Sequence, residues 1–241
     1  TFLEHRSRRR LAKVAVLDNG TGMDAETLRM ALQFGVCAWP EAARRQGMGR
    51  FGMGLPSASI SQCQRVDVWT WQDGPDSALH SYIDLAEINL GELREVPTPY
   101  QQDIPEIWQQ AGREGTFGVS GTLVVWSKID RCLWRTSLAL IQHSEEVIGR
   151  MYREWINRGD VYIRLASFAV EDPTTIQPDI EARPNDPLYL MERTSCPKPF
   201  ADRPMFRPFP SPEGYEVKQR IRFRDEEHEV IVRFSIATEE A

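Results

Sequence analysis

The sequence has no paired cysteines of the C-x-x-C kind. Cys37, Cys63, Cys132 and Cys196 stand far apart, which argues against a cysteine zinc site or a dithiol redox motif and suits reduced thiols in a cytoplasmic setting. Histidine is scarce as well, and His5, His80, His143 and His228 show no metal-ligand spacing. No apolar stretch approaches membrane-spanning length and no signal-peptide pattern opens the chain, so no membrane partner is expected. Positive charge is not in excess. With 29 Lys and Arg against 35 Asp and Glu, the formal net charge of −6 argues against a dominant nucleic-acid surface across the whole chain. One local basic run, Arg6, Arg8, Arg9, Arg10 and Lys13, reads first as a solvated approach to the first strand, with a phosphate-backbone contact as the alternative. Hydrophobic content is adequate: 241 residues at 41% apolar can bury a core in one or two domains.

Glycine is concentrated where it has chemical meaning. Asp18-Asn19-Gly20-Thr21-Gly22-Met23 follows the apolar run Val14-Ala15-Val16-Leu17, placing an acceptor carboxylate at the end of an expected strand beside a turn that lets backbone approach a flat ligand. Gly47-Met48-Gly49-Arg50-Phe51-Gly52-Met53-Gly54 comes next, with amides able to wrap phosphates. By composition the first pattern arises at random in roughly 6% of chains this long and the second far less often, so the ordered pair carries the signal. Leu55-Pro56-Ser57-Ala58-Ser59 then reads as a helix start, whose N-terminal amides suit phosphate oxygens.

Asp18-x-Gly20-x-Gly22, Gly49-Arg50-Phe51-Gly52-Met53-Gly54-Leu55 and the later Gly121-Thr122 together resemble the GHKL ATPases, the superfamily of gyrase-type topoisomerases, the ninety-kilodalton heat-shock chaperone, sensor histidine kinases, MutL and MORC proteins. The Gly-Arg-Phe-Gly-Met-Gly-Leu wording is closest to the chaperone and MORC branches. The resemblance implies ATP and Mg2+ as ligands. It gives Asp18 the adenine amine, Thr122 the same base edge or its bound water, and Gly20, Gly22 and Met23 the wall beside base and ribose. Gly49, Arg50, Phe51, Gly52, Met53, Gly54 and Leu55 become a lid over the phosphates. The family's glutamate base and magnesium-holding asparagine lie upstream, and residues 1–13 hold no Glu-x-x-x-Asn arrangement. The reading therefore leaves the catalytic residues unassigned and expects a piece of a longer protein. An ATPase that dimerises or changes shape with nucleotide is the leading expectation. An ATP sensor without turnover and a histidine-kinase-type phosphotransferase remain open, as do DNA and protein partners.

Gly47-x-Gly49-x-x-Gly52 also matches the dinucleotide fingerprint, but Glu41-Ala42-Ala43-Arg44-Arg45-Gln46 is no buried strand before it. The fold expected is an α/β (α+β) two-layer sandwich of Bergerat type, a mixed sheet with helices on one face, over residues 1–130. A transducer-like α/β domain, incomplete at 131–241, would follow. Strands are expected at 14–17, 66–71, 79–85 and 121–127. Helices are expected after Asp24 as far as Gly35, from Leu55, near 103–111, and as one long helix over 137–157 ended by Gly159. Val161, Ile163 and Leu165 alternate as a strand. Ten of the 16 prolines fall between Pro173 and Pro212, predicting an irregular connection before a hairpin that turns at Asp225-Glu226-Glu227.

Overall fold

The computed structural model describes residues 10–36, 52–112, 116–209 and 215–239. They divide into two compact units, Thr1–Ser137 with Phe168–Ile176, and Leu138–Ser167 with Gln177–Ala241.

The first unit is an α+β sandwich built on five strands: β1 (Val14–Asp18), β2 (Cys63–Trp71), β3 (Leu79–Asp84), β4 (Tyr100–Gln101) and β5 (Gly121–Ile129). Their order is β1-β5-β2-β3-β4. Each of the four pairings is antiparallel, where a mixed sheet was expected. Helices α1 (Ala25–Ala31) and α2 (Gly54–Ile60) cover one face, where Leu28, Leu32, Leu55 and Ile60 pack with Val66, Val68, Ile83 and Val124.

The alternation in β2 predicts one dry face, yet Trp69 and Trp71 on the other face are 5% and 1% exposed. Ile104, Phe117 and Trp108 of the short helix α4 (Glu106–Ala111) cover them, so a helix lies on the second face as well. Two large indoles are too apolar to face water, and Ile104, Trp108 and Phe117 supply their cover. Between β3 and β4 stands α3 (Leu85–Leu90), a helix the sequence reading missed because its first residues continue the apolar pattern of β3. Asp84 caps it, accepting from the Ala86 N–H at 2.9 Å.

In the second unit the expected long helix is two, α5 (Ser137–Met151) and α6 (Arg153–Arg158). They separate at Tyr152, which leaves helical geometry (φ −103, ψ 11) while its ring meets Trp155 at 6.0 Å. Gly159 ends α6 in the left-handed conformation (φ 76), as the sequence predicts. Strands β6 (Arg164–Ala169) and β7 (Asp172–Glu181) form a two-stranded sheet. Pro173 and Pro178 therefore sit in a strand and not in the irregular connection expected there. A strand with only one neighbour tolerates the missing amide.

Residues 182–205 have no helix or strand but are tied down. The Asn185 N–H donates to the Gly149 carbonyl of α5 (3.0 Å), and buried Asp186 accepts from the Leu188 and Leu190 amides (3.0 Å each). Strands β8 (Phe206–Pro208) and β11 (Ser235–Ala237) pair, as do β9 (Glu216–Phe223) and β10 (Glu226–Arg233). The hairpin turns at Arg224 and Asp225, with φ of 50 and 64, so it begins one residue before the expected turn and Glu226 and Glu227 already belong to β10. Positive φ at both central residues is what a two-residue hairpin needs, and Phe223 pairs with Glu226 across it.

Candidate functional site

The ends of β1 and β2 meet the start of β5 at one edge of the sheet. Asp18 stands opposite Thr122, and Thr122 opposite Thr70, so three polar side chains form one row across three strands. The row lies on the face that carries α1 and α2. Asp18 is exposed, Thr122 is 8% exposed and Thr70 is fully buried. Polarity thus runs from a solvent-facing carboxylate inward to a sealed hydroxyl.

Local chemistry holds the row in place. Asp18 Oδ1 accepts from the Gly20 N–H at 2.9 Å, closing a tight turn directly after β1. Gly22 has φ 66, and a Cβ there would run into the Trp71 carbonyl, so this position needs glycine on both conformational and steric grounds. Gly121 is equally confined: a Cβ would stand 2.5 Å from the Asp18 carbonyl oxygen and 2.7 Å from the Trp71 ring. The Met23 N–H donates to Thr70 Oγ1 at 2.8 Å, pinning the glycine loop across β2. One residue later Asp24 caps α1 through the Thr27 N–H (2.8 Å), a bond that holds its carboxyl below the usual carboxylate range.

Among the residues singled out in the sequence, Asp18, Gly20, Gly22, Met23 and Thr122 gather at this edge. Met23 and Leu55 also pack against the same apolar cluster beneath α1 and α2. Gly52 has φ 60, and its carbonyl accepts from the Gly35 N–H at 3.1 Å, so the two described ends of the intervening segment are joined. That bond explains why α1 stops at Ala31: Gly35, expected to end a longer helix, serves the joint to Gly52. Met53 is 47% exposed and provides no side-chain cap to α2. At Gly54 a Cβ would meet nothing within 4 Å, so no crowding demands glycine there. Gly49, Arg50 and Phe51 lie outside the described residues, as do Gly47, Met48, Arg44, Arg45 and the first part of the basic run.

Thr70 is the site residue that the sequence alone did not reveal. Alternation with Val66 and Val68 puts it on the face that carries α1 and α2, but its meeting with Thr122 depends on the register between two strands about fifty residues apart. As a set the edge offers a carboxylate that only accepts, a hydroxyl that donates or accepts, and glycine backbone leaving room for a planar ring. That matches a base carrying an amino donor beside a ring acceptor. Among the described residues no group of three or more His, Cys, Asp or Glu could hold a metal ion. No helix among them is long and apolar enough to cross a membrane.

Residues 3–116 match the family model described as histidine kinase-, DNA gyrase B-, and HSP90-like ATPase. This supports a GHKL-type ATP-binding domain over that segment. The match ends before β5, so Thr122 rests on strand register and not on the family model. No curated protein matches the chain.

Proposed function

We infer that the first unit binds ATP, with the adenine edge on Asp18 and Thr122 and the phosphates toward Gly52–Leu55 at the start of α2. The observation carrying this reading is the Asp18–Thr122–Thr70 row beside a glycine turn too tight for any side chain at Gly22. Asp18 accepts from the exocyclic amine. A guanine would present a carbonyl oxygen to the same carboxylate and be repelled, so the site selects adenine. The start of α2, which has no side-chain cap, adds the positive end of a helix dipole for phosphate oxygens.

The resemblance extends this to an ATPase in which nucleotide state drives association of two copies, with the magnesium ligand and base supplied by residues other than those described. Its wording favours the chaperone and MORC branches. A second domain of transducer type, over 131–241, would read that state.

Gly52 separates phosphate binding from simple folding. Valine there would strain a φ of 60 and disturb the Gly35–Gly52 joint. Gly52→Val is expected to weaken ATP binding more than adenosine binding, measured by titration calorimetry of both ligands. Equal losses would make the glycine a structural residue only and remove the phosphates from this end of α2.

A further inference from the structure

We propose that Thr70 is a positioning residue that sets the proton of Thr122 toward the base. This rests on the adenine reading of the same edge. Thr70 is fully buried and reaches no ligand itself, yet its hydroxyl is the meeting point of three groups. It accepts from the Met23 N–H at 2.8 Å, faces the Gly121 carbonyl at 3.1 Å, and stands 3.2 Å from Thr122 Oγ1.

A hydroxyl has one proton, and two acceptors compete for that of Thr70. When it goes to the Gly121 carbonyl, Thr122 can donate back to Thr70 and turns only lone pairs outward. When it goes to Thr122 Oγ1, the Thr122 proton is free to point at the ligand. The Met23 amide takes up one Thr70 lone pair in either arrangement and so fixes the centre of the relay. Adenine presents a ring acceptor, N1, beside the amine held by Asp18. It therefore selects the second arrangement, directly or through one water, and a chain of aligned hydrogen bonds from Met23 through Thr70 and Thr122 reinforces it. The glycine loop and the base edge are coupled through one buried hydroxyl.

The test compares ATP with 1-deaza-ATP, in which carbon replaces N1, on the whole chain and its Thr70→Val and Thr70→Ser variants. In the wild-type chain, loss of the N1 acceptor is expected to weaken binding by about tenfold, the worth of one buried hydrogen bond. Thr70→Val should bind ATP weakly and lose most of its preference for ATP over 1-deaza-ATP, while Thr70→Ser should restore both affinity and preference.

Equal affinity of the wild type for the two nucleotides overturns the relay, and this arm needs no variant to fold. A Thr70→Val protein that weakens both ligands in the same proportion, or a Thr70→Ser protein that behaves like it, also overturns the relay and leaves Thr70 a packing residue. Failure of the wild type to bind ATP at all overturns the adenine reading itself, and the relay with it.

Discussion

At Gly22 two independent constraints coincide, since φ is 66 and the space for a Cβ is already taken by the Trp71 carbonyl. Gly22→Ala should therefore destabilise the first unit by about 2 kcal/mol, read as a lowered unfolding midpoint in denaturant. An unchanged midpoint would mean that the turn relaxes and that the glycine serves the ligand alone. Asp18 and the glycines after it were legible in sequence because a motif concentrates several unusual demands in a few adjacent positions. Thr70 was not. Its chemistry is created by register, in which the Thr122 neighbour and the Met23 amide arrive from distant parts of the chain, and no local pattern encodes such a meeting. Gly54 shows the opposite case: it belongs to the motif, yet nothing crowds it.

Elements were legible where periodicity and caps agreed. Asp24 opens α1 and Gly159 closes α6 as their residue types predict. Boundaries shifted where tertiary bonds intervened, as when Gly35 turned its amide to Gly52 and left α1 seven residues long. The second face of the sheet holds an ionic network of the same non-local kind. Arg65 grips Asp67 with two nitrogens (2.9 and 3.0 Å) and reaches Asp84 at 3.2 Å, while Lys128 bonds Asp84 at 2.7 Å and His80 meets Asp67 at 3.1 Å.

Burial pushes the Asp84 carboxyl upward, but the Lys128, Ala86 and Arg65 hydrogen bonds outweigh it and hold the group below its ordinary range. Asp67 follows the same pattern, with burial opposed by His80 and Arg65. A carboxylate with a lowered folded value stabilises the protein above its unfolded value and loses that contribution as pH falls through the folded one. Thermal stability should accordingly drop below about pH 4. Asp84→Asn should lower stability at neutral pH by about 2 kcal/mol and flatten the acid dependence, because it removes a buried charge that joins β2, α3 and β5. Melting curves at neutral and acid pH check this, and an unchanged acid slope would place the sensitive groups elsewhere.

On the scale of the molecule, each unit has its own logic. The first uses an antiparallel sheet whose strand ends bring one carboxylate and two hydroxyls to a single edge. The second combines helices and hairpins with anchors in its irregular stretch, such as Asn185 on Gly149 and the buried carboxylate of Asp186. Length and composition allowed one or two domains, and the division into two units emerges from contacts, which place residues 168–176 with the first.

Titration calorimetry of ATP into the whole chain and its Asp18→Asn variant tests the central claim most directly. Asparagine turns a pure acceptor into a mixed donor and acceptor facing the adenine amine. The folded variant should lose about 2 kcal/mol or more of binding, roughly thirtyfold in Kd. A folded Asp18→Asn protein that binds ATP as tightly as the wild type would contradict the assignment of this edge to the base.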